Sequence, residues 1–291
     1  MNLRDQFVLD YGNLAITNSD LALTAFTYWK YVPQGIWRIE EAIIRVPLES
    51  ADQVDKLLDI CIDLDLSPQR AEISTSWARA LEAHKKTGQA LQFYEKGQSF
   101  TDIERVCWQH FERLLLTGGM DSEIDPEFVE ILRNPPATPM AATLIAPVAL
   151  LYNFYELRRS GDGGTAVQYL SKLFRLASLP REYIALLMAE LLPIFMGISH
   201  VDLTYEDKRN GMISQKDLFE VLAAVEDYIG DKEMSKKGSE LLSKAMTMGP
   251  TNDDAFKNWR NLVSGDSSSQ KIVSLFRVEA TKTIAQQYIT N

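Results

Sequence analysis

Apolar residues recur at intervals of three and four along nearly the whole chain, and that rhythm is what a helix needs and a strand cannot use. Val54, Leu57, Leu58 and Cys61 set the pattern, all on one side of an α-helix. Nowhere does a period-two alternation persist with β-branched enrichment, so no strand is predicted. Punctuation cuts the pattern into short pieces. Ser19 precedes the run Leu21–Tyr31, which Pro33-Gln34-Gly35 ends, and a helix near Ile36–Arg45 stops before Pro47. Ser50 stands where an N-cap belongs, and Ser67-Pro68 reads as a cap with proline at the first helical position. Gly88 marks a turn, Leu91–Tyr94 a short helix closed by Gly97, and Ser99 with Asp102 resembles a capping box for a helix reaching Leu116.

The polar segment Thr117–Ser122 and the run Asn134–Pro139 flank a short helix, Pro126–Leu132. The proline-rich break at 134–139 divides the chain into a first helical-hairpin half, 1–133, and a second, 140–291, ending in a C-terminal helix. In the second half helices are predicted near 140–159, 165–178, 181–196, 215–229, 236–247, 252–263 and 270–289. Roughly thirteen helices with short connections imply antiparallel neighbours. One hairpin cannot bury its own apolar faces, so the expected fold is all-α, an elongated α-helical solenoid of antiparallel hairpins. No repeat of fixed period exists, although Ala80–Tyr94 has a tetratricopeptide flavour.

Composition bounds the function. With 30 Lys and Arg against 40 Asp and Glu, the net charge of −10 argues against a nucleic-acid surface. Two widely spaced cysteines, Cys61 and Cys107, rule out a disulfide-dense scaffold, and no Asn-x-Ser/Thr acceptor occurs. The N-terminus lacks the basic-then-apolar run of a signal peptide. Leu3, Phe7, Tyr11 and Leu14 already carry helical spacing, and the chain reads as though it starts inside a larger protein. The uncharged run Met140–Tyr155 is shorter than the ~18–20 residues of a membrane span and contains Pro147, so a buried helix is predicted.

The candidates for chemistry are all better explained as structure. Glu206–Asp217 has the length of a calcium loop around Gly211, but Lys208 occupies a ligand position and Asp217 is too short for the closing bidentate Glu. His84, His110 and His200 form no ligand pair. Cys107 shares a helical face with His110, yet nothing supplies an orienting group or oxyanion donors. Gly161-Asp162-Gly163-Gly164 lacks the preceding strand and the Lys-Ser/Thr of a P-loop. Asp121, Glu123, Asp125 and Glu127 favour the start of the next helix through its dipole. Trp29, Trp37, Trp77, Trp108 and Trp259 are expected to fill core between hairpins. No catalytic residue, metal or cofactor is predicted.

On the final helix, 100° per residue gathers Ile272, Val273, Phe276, Ala280, Ile284 and Tyr288 on one face. Leu275, Val278, Ala285 and Ile289 gather on a second, interrupted by Lys282. A terminal helix needs only one apolar face for its own stack, so the second is the candidate partner-binding stripe.

The order of several segments is similar to a known family. Leu9-Asp10-Tyr11-Gly12, Tyr28-Trp29-Lys30-Tyr31 and Arg38–Leu48 resemble the C-terminal region of the eighty-five-kilodalton nucleoporin family of the Y-shaped outer-ring complex, in its fungal form. The resemblance continues through Val54–Cys61, Trp77–Tyr94, Tyr183–Pro193, Leu218–Asp227 and Ser274–Val278. It implies a coat-like helical scaffold, tail module included, at the nuclear pore. It also implies a hetero-oligomer with the other large helical nucleoporins, chiefly the one-hundred-and-twenty-kilodalton partner at the hub of the Y. The family's N-terminal part, which donates a blade to a β-propeller, has no counterpart here, and loops 117–126 and 197–212 match nothing in it. The rival readings are a tetratricopeptide or vesicle-coat type adaptor that binds peptides in a concave groove and, more remotely, an all-helical enzyme.

Overall fold

Helix follows helix in the described part of the computed structural model. It describes residues 3–18, 21–119, 124–136, 138–196, 214–248, 259–262 and 269–290, without the side chains of 261, 262, 269 and 286–290. The helices are α1 Leu3–Ala15, α2 Ala22–Trp29, α3 Gly35–Ala42, α4 Ala51–Asp63, α5 Ser67–Ala83, α6 Thr87–Lys96, α7 Phe100–Thr117 and α8 Pro126–Arg133. Then come α9 Pro139–Ser160, α10 Gly163–Phe174, α11 Ile184–Phe195, α12 Gln215–Gly230, α13 Lys232–Met248, α14 Trp259–Leu262 and α15 Ser269–Thr290. Single 3₁₀ turns at Ile43–Arg45 and Arg181–Tyr183 extend α3 and lead into α11. No strand occurs among the described residues. The chain is all-α and solenoid-like in its local order, with neighbours doubling back across short connections.

Two compact units result, Met1–Ile103 with Asp125–Ile131, and Glu104–Ile124 with Leu132–Asn291. In the first, α1 packs on α2, α2 on α3, α4 on α5 and α5 on α6. Ile39, Val54, Leu57, Phe26 and Tyr94 form its interior. Helix α1 buries Leu9 and Ala15 while Leu3, Phe7, Tyr11 and Leu14 face outward, all more than half exposed. In the second unit α11 is the centre: every residue from Ile184 to Ile194 is buried. Around it lie α10, α13, α14 and α15, with α9 packed on α10.

Side-chain caps explain where several helices begin. Ser50 Oγ accepts the Gln53 N–H at 3.3 Å and Ser214 Oγ that of Asp217 at 3.1 Å, as Asp162 does for Thr165 at 3.0 Å. Helix α13 starts at Lys232, ahead of the predicted 236, because Asp231 accepts the N–H groups of Glu233 and Met234. Ser67 is not a cap: the N-cap is Leu66, and Ser67-Pro68 lie in the first turn, where proline's missing N–H costs nothing. Ser99 donates its hydroxyl to the Asp102 carboxylate at 2.8 Å. Gly161 ends α9 in the left-handed region at φ 86°, where a side chain would clash with the backbone.

Gly88 does not turn the chain; it lies inside α6. Its N–H is one of the orphan donors of a helix start, and the Asp125 carboxylate accepts it at 2.8 Å from 37 positions away. The other oxygen of Asp125 accepts the Glu127 N–H at 3.1 Å, and Glu127 itself accepts from Gln89 at 2.8 Å. Half of the predicted acidic run is therefore committed to holding α6 against α8; Asp121 and Glu123 lie outside the described residues.

Helix α9, at 22 residues, is by length and composition alone apolar enough to cross a membrane. It continues through Pro147 and buries Ile145, Val148, Leu151 and Phe154 in the second unit. Its charged last turn is engaged as well, Arg158 with Glu190 and Arg159 with Glu156. Of its most apolar stretch, 44% is buried against protein.

Candidate partner-binding face

Among the described residues, helix α15 is held from one side. Ile272, Val273, Phe276 and Ala280 are buried, and α15 contacts α11, α12 and α13. The Phe276 ring lies 5.7 Å from that of Phe195 at the end of α11, tilted by 57°, within the range of favourable aromatic pairs. Arg277 adds an ion pair at the edge, its guanidinium gripping Glu226 of α12 with contacts of 2.6–3.0 Å.

On the far side, Val278 is 52% exposed and Ala285 is exposed, while Leu275 is half-buried. Lys282, which interrupts this stripe, is tied back to Glu279 at 2.7 Å. The side chain of Ile289 lies outside the described residues, as does that of Tyr288. The stripe thus offers one aliphatic residue free of the fold and one partly so, on a helix fixed from behind.

What fixes the surroundings is a polar cluster in the interior. Glu190 is the one ionisable residue of α11 and is 1% exposed. Arg158 of α9 meets its Oε2 at 2.5 Å, and the Trp259 indole N–H donates to its Oε1 at 3.0 Å. Arg260 next door donates to the Leu116 and Ala245 carbonyls, both at 2.9 Å. Those carbonyls belong to the last turns of α7 and α13, so one guanidinium ties two helix ends together. Burial, and then the Glu190 charge, push the Tyr155 hydroxyl well above its ordinary pKa, so it is neutral here.

None of this supports a nucleophile or a metal. Burial pushes the Cys107 thiol up to about 12 and the Cys61 thiol up to about 11, the opposite of activation. His84 is exposed, His110 half-buried, and His200 outside the described residues. Among the described residues no three His, Cys, Asp or Glu side chains gather where a metal could sit. Most of the Glu206–Asp217 loop is likewise outside them; its end is described, with Ser214 capping α12 and the Asp217 carboxylate engaged by Arg175.

Sequence reasoning missed the interior cluster. Its signal was the single glutamate in the apolar run Ile184–Phe195, since a charge there must be paired to be buried. Its partners, 32 and 69 positions away, left no trace in periodicity.

The family described as Nup85 Nucleoporin matches residues 1–227. The chain is 26% identical over 250 residues to nucleoporin nup85 of Schizosaccharomyces pombe, covering 85% of this chain and 37% of that protein. It is 26% identical over 175 residues to nucleoporin NUP85 of Saccharomyces cerevisiae, covering 54% and 23%. To the nuclear pore complex protein Nup85 of Danio rerio it is 24% identical over 209 residues, covering 70% and 31%. It therefore spans little more than a third of the length of these relatives at most. With the match running over most of its residues, the chain belongs to the Nup85 nucleoporin family.

Proposed function

We propose that this chain is a structural, non-catalytic scaffold module of the nuclear pore complex, resident at the nuclear envelope, working through contacts with other helical nucleoporins of the outer ring. Family membership supports the coarse reading. The finer one is that the outer stripe of α15, through Leu275, Val278, Ala285 and Ile289, meets the large one-hundred-and-twenty-kilodalton helical partner at the hub of the Y-shaped complex. The observation that carries it is the one-sided burial of α15: Phe276 is sealed while Val278, two positions on, is 52% exposed. Covering a large aliphatic side chain supplies about 1.5–3 kcal/mol when it starts fully exposed, so Val278 and half-buried Leu275 together suffice for a clear effect.

The test is the double variant Leu275→Glu with Val278→Glu in the full chain. Titration against the purified partner should show binding weakened about tenfold or more, equivalent to at least ~1.4 kcal/mol. Helical circular dichroism and melting temperature should stay near wild type. Unchanged affinity would place the contact elsewhere. Unfolding of the variant would make the stripe core.

A further inference from the structure

The geometry points to a second docking feature in the same unit: a basic groove, bordered by α12, α13 and α15, that takes an acidic helical segment of a protein partner. It measures about 790 Å³, within the size range of sites that enclose small ligands or short peptide stretches. Lys232 and Lys236 of α13 and Arg277 of α15 line it, and no carboxylate does. In a chain with ten more acidic than basic residues, three cations without an acid among the lining residues form a local reversal of sign.

The chemistry of the lining selects the ligand further. Lys232 and Lys236 are exposed and form no ion pair among the described residues, so their charges are available. They stand one helical turn apart, which puts their Cβ atoms about 5–6 Å from one another. Glutamates at i and i+4 of an incoming helix have the same spacing. Arg277 is already held by Glu226 and contributes a fixed donor fork rather than an uncompensated charge. Ser235, Ser239 and Ser274 add hydroxyls along the groove, and Val273 and the buried ring of Tyr228 give it an apolar floor. An acidic amphipathic helix meets all of these features; a nucleic acid would not, since two available lysines are too few for backbone neutralisation.

The inference rests on the partner-binding reading above, but its readout does not involve the large scaffold partner. The probe is a fluorescein-labelled helical peptide of alternating Glu and Leu turns, with Gln and phosphoserine versions of the same peptide for comparison. Fluorescence anisotropy with the full chain should show saturable binding of the Glu peptide that falls with added salt, since rim charges are screened over about 8 Å at physiological ionic strength. Lys232→Glu with Lys236→Glu should weaken it about tenfold, mostly through association rate and salt dependence. Lys216→Glu with Lys244→Glu, an equal charge change on exposed positions of α12 and α13 outside the groove, should leave it nearly intact. If circular dichroism shows the charge-reversed variant misfolded, Lys232→Gln with Lys236→Gln serves in its place. No binding, equal binding of the Gln peptide, or equal loss in the control pair overturns the proposal. Much tighter binding of the phosphoserine peptide overturns the carboxylate assignment in favour of phosphate. Retained peptide binding in the Leu275→Glu, Val278→Glu variant that has lost the scaffold partner would show the two sites to be separate.

Discussion

Arg158 Nη1 lies 2.5 Å from Glu190 Oε2, and both side chains are buried. The pair joins α9 to α11, and Trp259 joins α14 to the same carboxylate. Glu190→Ala leaves a buried guanidinium without its counter-ion, a loss of about 3–5 kcal/mol. Replacing both charges, as in Arg158→Met with Glu190→Leu, should cost less than Glu190→Ala alone, because no uncompensated charge remains; the Trp259 indole still loses its acceptor, at about 1–3 kcal/mol. Denaturant unfolding of the three proteins, followed by far-ultraviolet circular dichroism, measures the order directly. A double variant less stable than the single one would mean that the pair stabilises the fold outright.

Gly88 makes a sharper case, because helix propensity predicts the wrong sign. In an ordinary helix Gly→Ala gains about 1 kcal/mol. Here a Cβ would stand 2.6 Å from both the Glu127 carbonyl carbon and the Phe128 nitrogen, backbone atoms of α8 that cannot swing aside. Overpacking of this kind costs about 1–3 kcal/mol, so Gly88→Ala should lower the denaturation midpoint despite the better helix former. An unchanged or raised midpoint would show that α8 yields.

These two sites mark what the sequence could and could not reveal. Periodicity and local caps located the helices, because a cap at Ser50 or Ser214 acts on residues three positions away. The start of α6 was misplaced because its donor is satisfied by Asp125, 37 positions on. The candidate stripe on α15 was legible as angular spacing, and burial of Ile272, Val273, Phe276 and Ala280 distinguishes the face turned inward. Glu190 was not singled out, because a lone charge in an apolar helix says that a partner exists but not where. The basic groove draws on three helices, and no single stretch of sequence contains it.

Both thiols should be silent in the folded protein. Burial raises Cys107 to about 12 and Cys61 to about 11, so thiolate is scarce at pH 8 and access is closed. A chromogenic disulfide reagent should therefore label neither at that pH without denaturant and both in it. The sign of the linkage follows. The folded state holds these protons more tightly than the unfolded chain, whose thiols titrate near about 8.5. Their contribution to stability is complete below that value and is lost as pH rises toward 11 and beyond. A stability profile from pH 8 to 10.5 should fall, and Cys107→Ala should flatten part of the fall. A flat wild-type profile would remove the thiols from the account.

The faces of α15 can be separated by a pair of truncations that need no partner. Phe276 is fully buried and packs on Phe195, so Phe276→Ala removes an aromatic ring from a closed site and leaves a cavity. Such changes cost about 3–5 kcal/mol. Val278 is 52% exposed, and Val278→Ala should fall within about 0.5 kcal/mol of wild type. The two positions lie 200° apart around the helix at 100° per residue, so helix propensity and local sequence are shared while burial is not. Thermal unfolding of both single variants, with the double variant as a check on additivity, reads the difference. Equal losses at 276 and 278 would mean that α15 is clasped from both sides, leaving the outer stripe no room for a partner. A large loss at 276 with none at 278 leaves Val278 to be accounted for by binding, which is the condition the scaffold contact requires.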